Sequence, residues 1–125
     1  MLSIQNHVLD QKTKDFIAAL IDTPEYQAFK SAQENFDSDD EAKQIVEDFN
    51  STQQAYNVFR KGDFPGAEEQ KERLNQLRTK LEQNTRINEL LKSEKDLQLL
   101  VSELADHISQ EIGFPFNQPQ ASCCG

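Results

Sequence analysis

Apolar residues recur every three to four positions along most of the chain, which is the spacing of one face of an α-helix. Short polar or proline-containing breaks divide this pattern at 22–25, 38–39, 63–66 and 84–85. No stretch alternates apolar and polar residues for long, so β-strands are not expected. The pattern therefore predicts an all-α antiparallel bundle of about five helices.

The residues at the breaks are ones that begin and end helices. The predicted N-caps are Thr23, Ser38 or Asp39, and Asn84 or Thr85. Gly62 is predicted to adopt the left-handed conformation just beyond the third helix, and Gly113 to end the fifth. Pro115 prevents that helix from resuming. The bundle should therefore contain a long helical hairpin around Asp63–Gly66 and a long C-terminal helix.

The fourth and fifth predicted helices differ in their apolar surface. The fourth has a thin stripe flanked by charges four positions apart, with the predicted pairs Glu69 with Arg73 and Arg78 with Glu82. The fifth has the strongest apolar seam in the chain. A hydrophobic content of only 36% favours a helical domain that needs a second copy to bury enough surface. We expect a homo-oligomer, most simply a dimer, with the interface residues Leu97, Leu100, Leu104 and Ile108.

The chain is acidic, with 13 basic and 22 acidic residues and a net charge of −9. Such a surface repels phosphate backbones, so direct nucleic-acid binding is not expected. A solvated face that maintains solubility is one interpretation of the acidic segment of the third helix. The other is a partner-binding acidic face that meets a basic protein surface; its residues are Asp39, Asp40, Glu41, Glu47 and Asp48.

The sequence shows neither the pattern of a membrane span nor that of a secretory signal. No apolar run approaches the roughly 20 residues needed to span a bilayer, so no membrane association is expected. The N-terminal residues lack a basic segment followed by an apolar one, unlike a secretory signal. Two adjacent cysteines also do not form the framework of a secreted disulfide-rich protein. A cytoplasmic location is the expectation.

No motif in the chain predicts catalysis. Nucleophilic catalysis needs a serine or cysteine beside an oriented base, and His7 and His107 are the available histidines, neither within a recognisable motif. Gly62 and Gly66 do not belong to a phosphate-binding loop. We therefore expect a non-enzymatic protein without a small-molecule substrate.

The two cysteines, Cys123 and Cys124, lie side by side in an uncharged tail. Their Cα atoms lie about 3.8 Å apart across a trans peptide, below the disulfide range of about 4.4–6.8 Å. Two thiolates also cannot complete a four-thiolate metal site. They are therefore either idle or metal ligands completed by another chain. We divide the chain into a helical domain, 1–113, and a flexible cysteine-bearing tail, 114–125.

The third helix resembles the D-x-E-A-x-x-L-I-x-x-F-x-x-x-Q-x-x-Y pattern of the YlbF/YmcA family of small helical regulatory proteins. The matching residues are Asp40, Glu41, Ala42, Ile45, Val46, Phe49, Gln53 and Tyr56. The segment Thr23–Phe29 is similar to the Ser/Thr-Pro-x-Tyr-x-x-Phe segment that precedes it in the family. Asn84, Ile87 and Leu90 match the start of the long last helix. The resemblance covers roughly residues 5–113 and consists of packing positions.

The resemblance implies a cytoplasmic, all-α, non-enzymatic protein that forms oligomers. In Bacillus-type bacteria, family members join a YaaT protein in a complex that supports ribonuclease Y-dependent mRNA maturation. That complex influences competence, sporulation and biofilm formation, and it carries iron–sulfur clusters. The implied partners are therefore a family paralogue and a YaaT-like protein. The alternative function is a metal-linked redox sensor in which Cys123 and Cys124 ligate a [4Fe-4S] cluster shared between chains.

Overall fold

The computed structural model describes residues 5–116, a range that folds into five α-helices without a strand. The helices are α1 (His7–Ile21), α2 (Pro24–Asp37), α3 (Asp40–Lys61), α4 (Ala67–Gln83) and α5 (Thr85–Ile112). This arrangement confirms the predicted all-α class, the hairpin of α3 and α4, and the long last helix. Within this range, none of the helices combines the length and apolar character that crossing a membrane requires.

Side chains cap four of the helices at their N-termini. Each capping oxygen accepts a hydrogen bond from the backbone N–H three residues later, and such a cap contributes about 1 kcal/mol to stability. The capping residues are Asn6, Thr23, Asp39 and Asn84. Of the two alternatives predicted for each helix, Asp39 and not Ser38 caps α3, and Asn84 and not Thr85 caps α5. Gly113 ends α5 in the left-handed conformation, with φ of 68°, as predicted.

The turn between α3 and α4 differs from the prediction. Gly62 has a φ of −87°, so the expectation of a left-handed Gly62 is wrong, and Asp63 (φ 54°) and Gly66 (φ 101°) take positive φ values instead. Glycine at position 62 leaves room for the Phe64 ring, because a Cβ atom there would overlap this ring unless its exposed side chain moved. That ring packs edge-to-face on Phe59 with a centroid distance of 6.3 Å, which holds the hairpin closed.

The charged pairs predicted on α4 are not formed. Within residues 5–116, the one ion pair joins Lys14 Nζ to Asp10 Oδ2 at 3.2 Å on α1. Exposed pairs gain little in water because hydration competes with the contact and both side chains lose entropy. The stability of α4 therefore comes from its apolar stripe, in which Leu74 and Leu77 are buried.

Two helix pairs organise the packing: α2 lies along α5, and α3 lies along α4. Contacts of α4 with α5 and of α2 with α3 join the pairs, whereas α1 contacts α2 only slightly. Among the described residues, no large side chain is fully buried. Small side chains occupy much of the interior, where they let helices approach closely. The buried residues are Ala32, Ala42, Thr52, Leu74, Leu77, Ile87, Ser93 and Ala105.

Candidate functional site

An apolar cleft of about 480 Å³ lies between α1 and the C-terminal half of α5. Apart from Lys12 and Thr13 at the rim, its lining residues are all apolar. One wall is formed by Phe16, Ile17 and Leu20 of α1, and the other by Val101, Leu104, Ala105 and Ile108 of α5. Phe116, beyond the end of α5, also lines the cleft.

Helix α1 leaves much of its apolar side in solvent. It contributes no buried residue to the fold, and Phe16 and Ile17 remain 44% and 48% exposed. On the facing helix, Ile112 is 59% exposed. An amphipathic helix ordinarily buries its apolar stripe. We call the cleft lining, together with the exposed apolar side chains Phe16, Ile17 and Ile112, the α1–α5 surface. Its composition is therefore that of a site that another chain covers.

A second, larger cleft of about 790 Å³ runs along α5 from Leu97 to Gly113, with Phe114–Phe116 on its other side. Val101, Ala105 and Phe116 line both clefts. The two clefts are therefore neighbours on α5.

The segment Gly113–Phe116 turns back along α5 after the helix ends. The Gly113 N–H donates to the Ser109 carbonyl at 2.9 Å, and the positive φ of Gly113 reverses the chain. The Phe116 N–H then donates to Ser109 Oγ at 2.8 Å, and that hydroxyl donates to the Ala105 carbonyl at 2.9 Å. These bonds hold Phe116 over α5 beside α1.

The accessible surface of the chain is large for its mass. It measures 10135 Å², of which the terminal residues outside 5–116 account for at most about 2,000 Å², the surface of a fully extended peptide of that mass. A compact monomer with the mass of the described part exposes about 6,300 Å². The described part therefore exposes about 1,800 Å² more than a compact monomer.

The structure places the four predicted interface residues along α5, all half-buried. Leu104 and Ile108 line the cleft beside α1, and Leu97 lines the larger cleft. Leu100 lines neither of these clefts. Two of the four residues thus belong to the α1–α5 surface and a third lines the neighbouring cleft, while their role between subunits stays a prediction.

The predicted acidic residues spread over about 200° around α3 at 100° per residue, and their surroundings differ. Asp40, Glu41 and Glu47 are exposed. Asp39 is occupied as the N-cap of α3, and Asp48 Oδ1 accepts a hydrogen bond from Gln44 Nε2 at 2.8 Å. Asp48 also lines a groove with Glu41, in which Lys80 of α4 is the cationic residue. The free acidic face therefore consists mainly of Asp40, Glu41 and Glu47.

The α1–α5 surface also contains residues that the sequence analysis did not select. Phe16 and Ile17 contribute to the helical spacing of the first helix but to no predicted site, and Phe116 falls within the predicted tail, 114–125. A signal for Phe116 exists in the sequence: Phe114-Pro115-Phe116 follows a helix-ending glycine. Two aromatic rings directly after a helix are typical of a segment that packs back onto it.

The described residues do not form a candidate metal centre. Between residues 5 and 116, groups of three or more histidine, cysteine, aspartate and glutamate side chains suited to holding a metal ion are absent. His7 and His107 are both exposed. The predicted ligands Cys123 and Cys124 lie outside the described residues.

The fold is similar to that of a solved protein. The X-ray structure of Bacillus subtilis RicA in complex with RicF matches with a TM-score of 0.77 and covers 86% of this chain and 96% of the other. The two sequences are 15% identical, so the likeness shows the fold alone. A comparison with curated proteins gave no match.

The sequence itself matches a family model. The model describes the control of competence regulator ComK, YlbF/YmcA, and the match runs over residues 9–113. That range contains all five helices except the first two residues of α1, and both walls of the apolar cleft. The chain belongs to the YlbF/YmcA family.

Proposed function

We propose that this chain is a non-enzymatic adaptor or regulator that acts by binding other protein chains through the α1–α5 surface. The observation that carries the proposal is the excess of about 1,800 Å² over a compact monomer, combined with the apolar lining of the cleft between α1 and α5. Contiguous exposed apolar surface in a soluble domain is typical of a protein interface. The regulatory description of the family supports this proposal.

The occupant of the α1–α5 surface in this proposal is a second copy of the chain. A stable interface buries about 800 Å² on each partner, which the excess surface accommodates. The surface also holds both kinds of element that a two-fold contact needs, because α1 presents exposed apolar side chains and the cleft accepts them. Two copies paired in this way would form a four-helix contact of two α1 and two α5 helices.

Sedimentation of the wild-type chain over a range of concentrations tests the proposed function. We expect a dimer at micromolar concentration, with dissociation on dilution. A chain that remains monomeric at every concentration, alone and in the presence of its native partners, would contradict the docking role of the α1–α5 surface.

The acidic face of α3 is proposed as a second contact, for a basic surface of a partner protein. Asp40 and Glu47 are seven residues apart and therefore lie on one side of the helix, both exposed. We expect an Asp40→Lys/Glu47→Lys variant to lose salt-sensitive partner binding and keep its dimer. A Glu72→Lys/Glu82→Lys variant, at two exposed positions of α4, changes the net charge by the same amount and serves as the control. Equal binding by the wild type and the acidic-face variant would remove this proposal.

The process we propose, by resemblance, is support of ribonuclease Y-dependent mRNA maturation, and with it competence, sporulation and biofilm formation. The proposed partners are a family paralogue and a YaaT-like protein, in the cytoplasm. A strain lacking the chain should accumulate unprocessed ribonuclease Y substrates, and the wild-type gene should restore processing. Unchanged transcripts in that strain would exclude this role.

The cysteine pair is proposed to be half of a metal site that a partner chain completes, in the tail that begins after Gly113. Affinity purification from the native host without oxygen should yield iron, sulfide and visible absorbance together with the partner proteins. The Cys123→Ser/Cys124→Ser variant should lose the iron and the absorbance and still fold. Colourless, iron-free complexes from both chains would exclude the redox-sensor alternative and leave the adaptor role intact.

A further inference from the structure

We propose that Gly113–Phe116 is an intramolecular latch, which occupies part of the α1–α5 surface in the free chain and moves aside when a second copy docks. The proposal rests on the proposed function, because it concerns regulation of the same surface. It assigns a regulatory role to Phe116 and Ser109, which the proposed function does not give them.

The position of Phe116 is the first argument for a latch. Its ring lines the cleft beside α1 and also the larger cleft along α5. Removing the ring from this shared boundary would join the two clefts into one groove. From Leu97 to Ile108 that groove would extend about 17 Å at 1.5 Å per residue, or three turns of a docked helix. With Phe116 in place, a helix of that length cannot lie along the groove.

The second argument is that the latch is attached weakly. Beyond Gly113, Ser109 Oγ is the atom that holds the segment through a hydrogen bond, accepting from the Phe116 N–H. The aromatic rings add little burial, since Phe116 is 48% exposed and Phe114 is 67% exposed. A bond of this kind favours the closed state by about five- to tenfold. Opening is therefore easy. The closed state still lowers the apparent affinity for the second copy, because only the open fraction of chains can dock.

The path of the chain gives a third argument. Because Gly113 reverses the direction of the backbone, the Phe116 N–H lies beside Ser109 in the last turn of α5 and not beyond the end of the helix. Opening of the latch therefore moves the backbone at Phe116 away from α5 and uncovers the part of the cleft that the ring lines.

The test compares the dimer dissociation constants of the wild type and five variants by sedimentation equilibrium. Ser109→Ala removes the acceptor of the Phe116 N–H, and Phe116→Ala removes the ring from the shared boundary. Both copies must open in a two-fold dimer, so a fivefold gain per chain enters twice, and each variant is expected to tighten the dimer about 25-fold. The double variant should add little, because both changes act on the same latch. The controls are Ser51→Ala and Leu91→Ala, since both residues are exposed and line neither cleft. Both controls should leave the dimer dissociation constant near that of the wild type.

Amide hydrogen exchange of Phe116 in the dilute wild-type chain supplies a readout that does not depend on association. Protection in the monomer that Ser109→Ala abolishes supports the latch. Unprotected Phe116, or a Ser109→Ala dimer that is equal to or weaker than the wild type, overturns it. The failure of the proposed function is a different result: a wild-type chain that does not associate at all, which removes the docking surface and its latch together.

Discussion

Leu104→Glu is expected to convert the proposed dimer into a monomer, with a dissociation constant at least about 100-fold weaker than that of the wild type. Leu104 is half-buried in the apolar cleft between α1 and α5. A carboxylate there would lose hydration on docking, and the described cleft offers only Lys12 at its rim as a cation. Burying an unpaired charge costs several kcal/mol, and about 2.7 kcal/mol already weakens the dissociation constant by a factor of about 100. Sedimentation equilibrium measures the change.

The control for Leu104→Glu is Leu99→Glu on the same helix. Leu99 is 54% exposed and points about 140° away from Leu104 around α5, at 100° per residue. It should leave the dimer intact. Ile17→Glu places the charge on the opposite wall at a residue that is already 48% exposed, so it should weaken the dimer without unfolding the chain. A dimer that tolerates both Leu104→Glu and Ile17→Glu would show that copies meet elsewhere.

Leu77→Ala is expected to lower the free energy of unfolding by about 2–4 kcal/mol and the melting temperature by about 10 °C. Leu77 is 6% exposed and lies on the thin stripe by which α4 packs on α3. The fold has few large side chains in its interior, so the cavity left by one leucine removes a large share of the apolar contact of α4. Urea denaturation at a fixed protein concentration measures the loss.

Leu91→Ala is the matched control for Leu77→Ala, because Leu91 is 58% exposed on α5. Its replacement should change the free energy of unfolding by no more than about 0.5 kcal/mol. If both variants lost similar amounts of unfolding free energy, the contact between α3 and α4 would not be the source of the stability of α4.

Much of the fold was predictable because its signals are local. Helical spacing of apolar residues, the caps Thr23 and Asn84, and the helix-ending Gly113 each act within a few residues of their own position. Gly62 shows where local rules stop. Its identity is explained by contact with the Phe64 ring, and which of two neighbouring residues takes the left-handed conformation depends on how the whole turn closes.

The candidate site was predictable only in part, because it depends on which helices lie side by side. The apolar seam of α5 indicated Leu104 and Ile108, but nothing in the spacing shows that α1 forms the opposite wall. Phe116 required a further step, since its place over α5 follows from the chain reversal at Gly113 and the Ser109 hydroxyl. The family match identifies the chain through its packing positions and does not select these residues.

The small interior of the bundle has a consequence for how the sequence can vary. Ala42 is completely buried and Ala32 and Ser93 nearly so, while α2 and α5 pack more extensively than α1 packs on α2. Added methylene groups at such positions would push helices apart, because a packed interior does not yield. In a saturation mutagenesis scan, the least tolerant positions should therefore include the smallest side chains, and enlarging Ala42 should be more damaging than truncating the exposed Leu91. Evolution of this family member is then free to alter its outer surfaces, and with them its partners, while the distances between its helix axes stay constant.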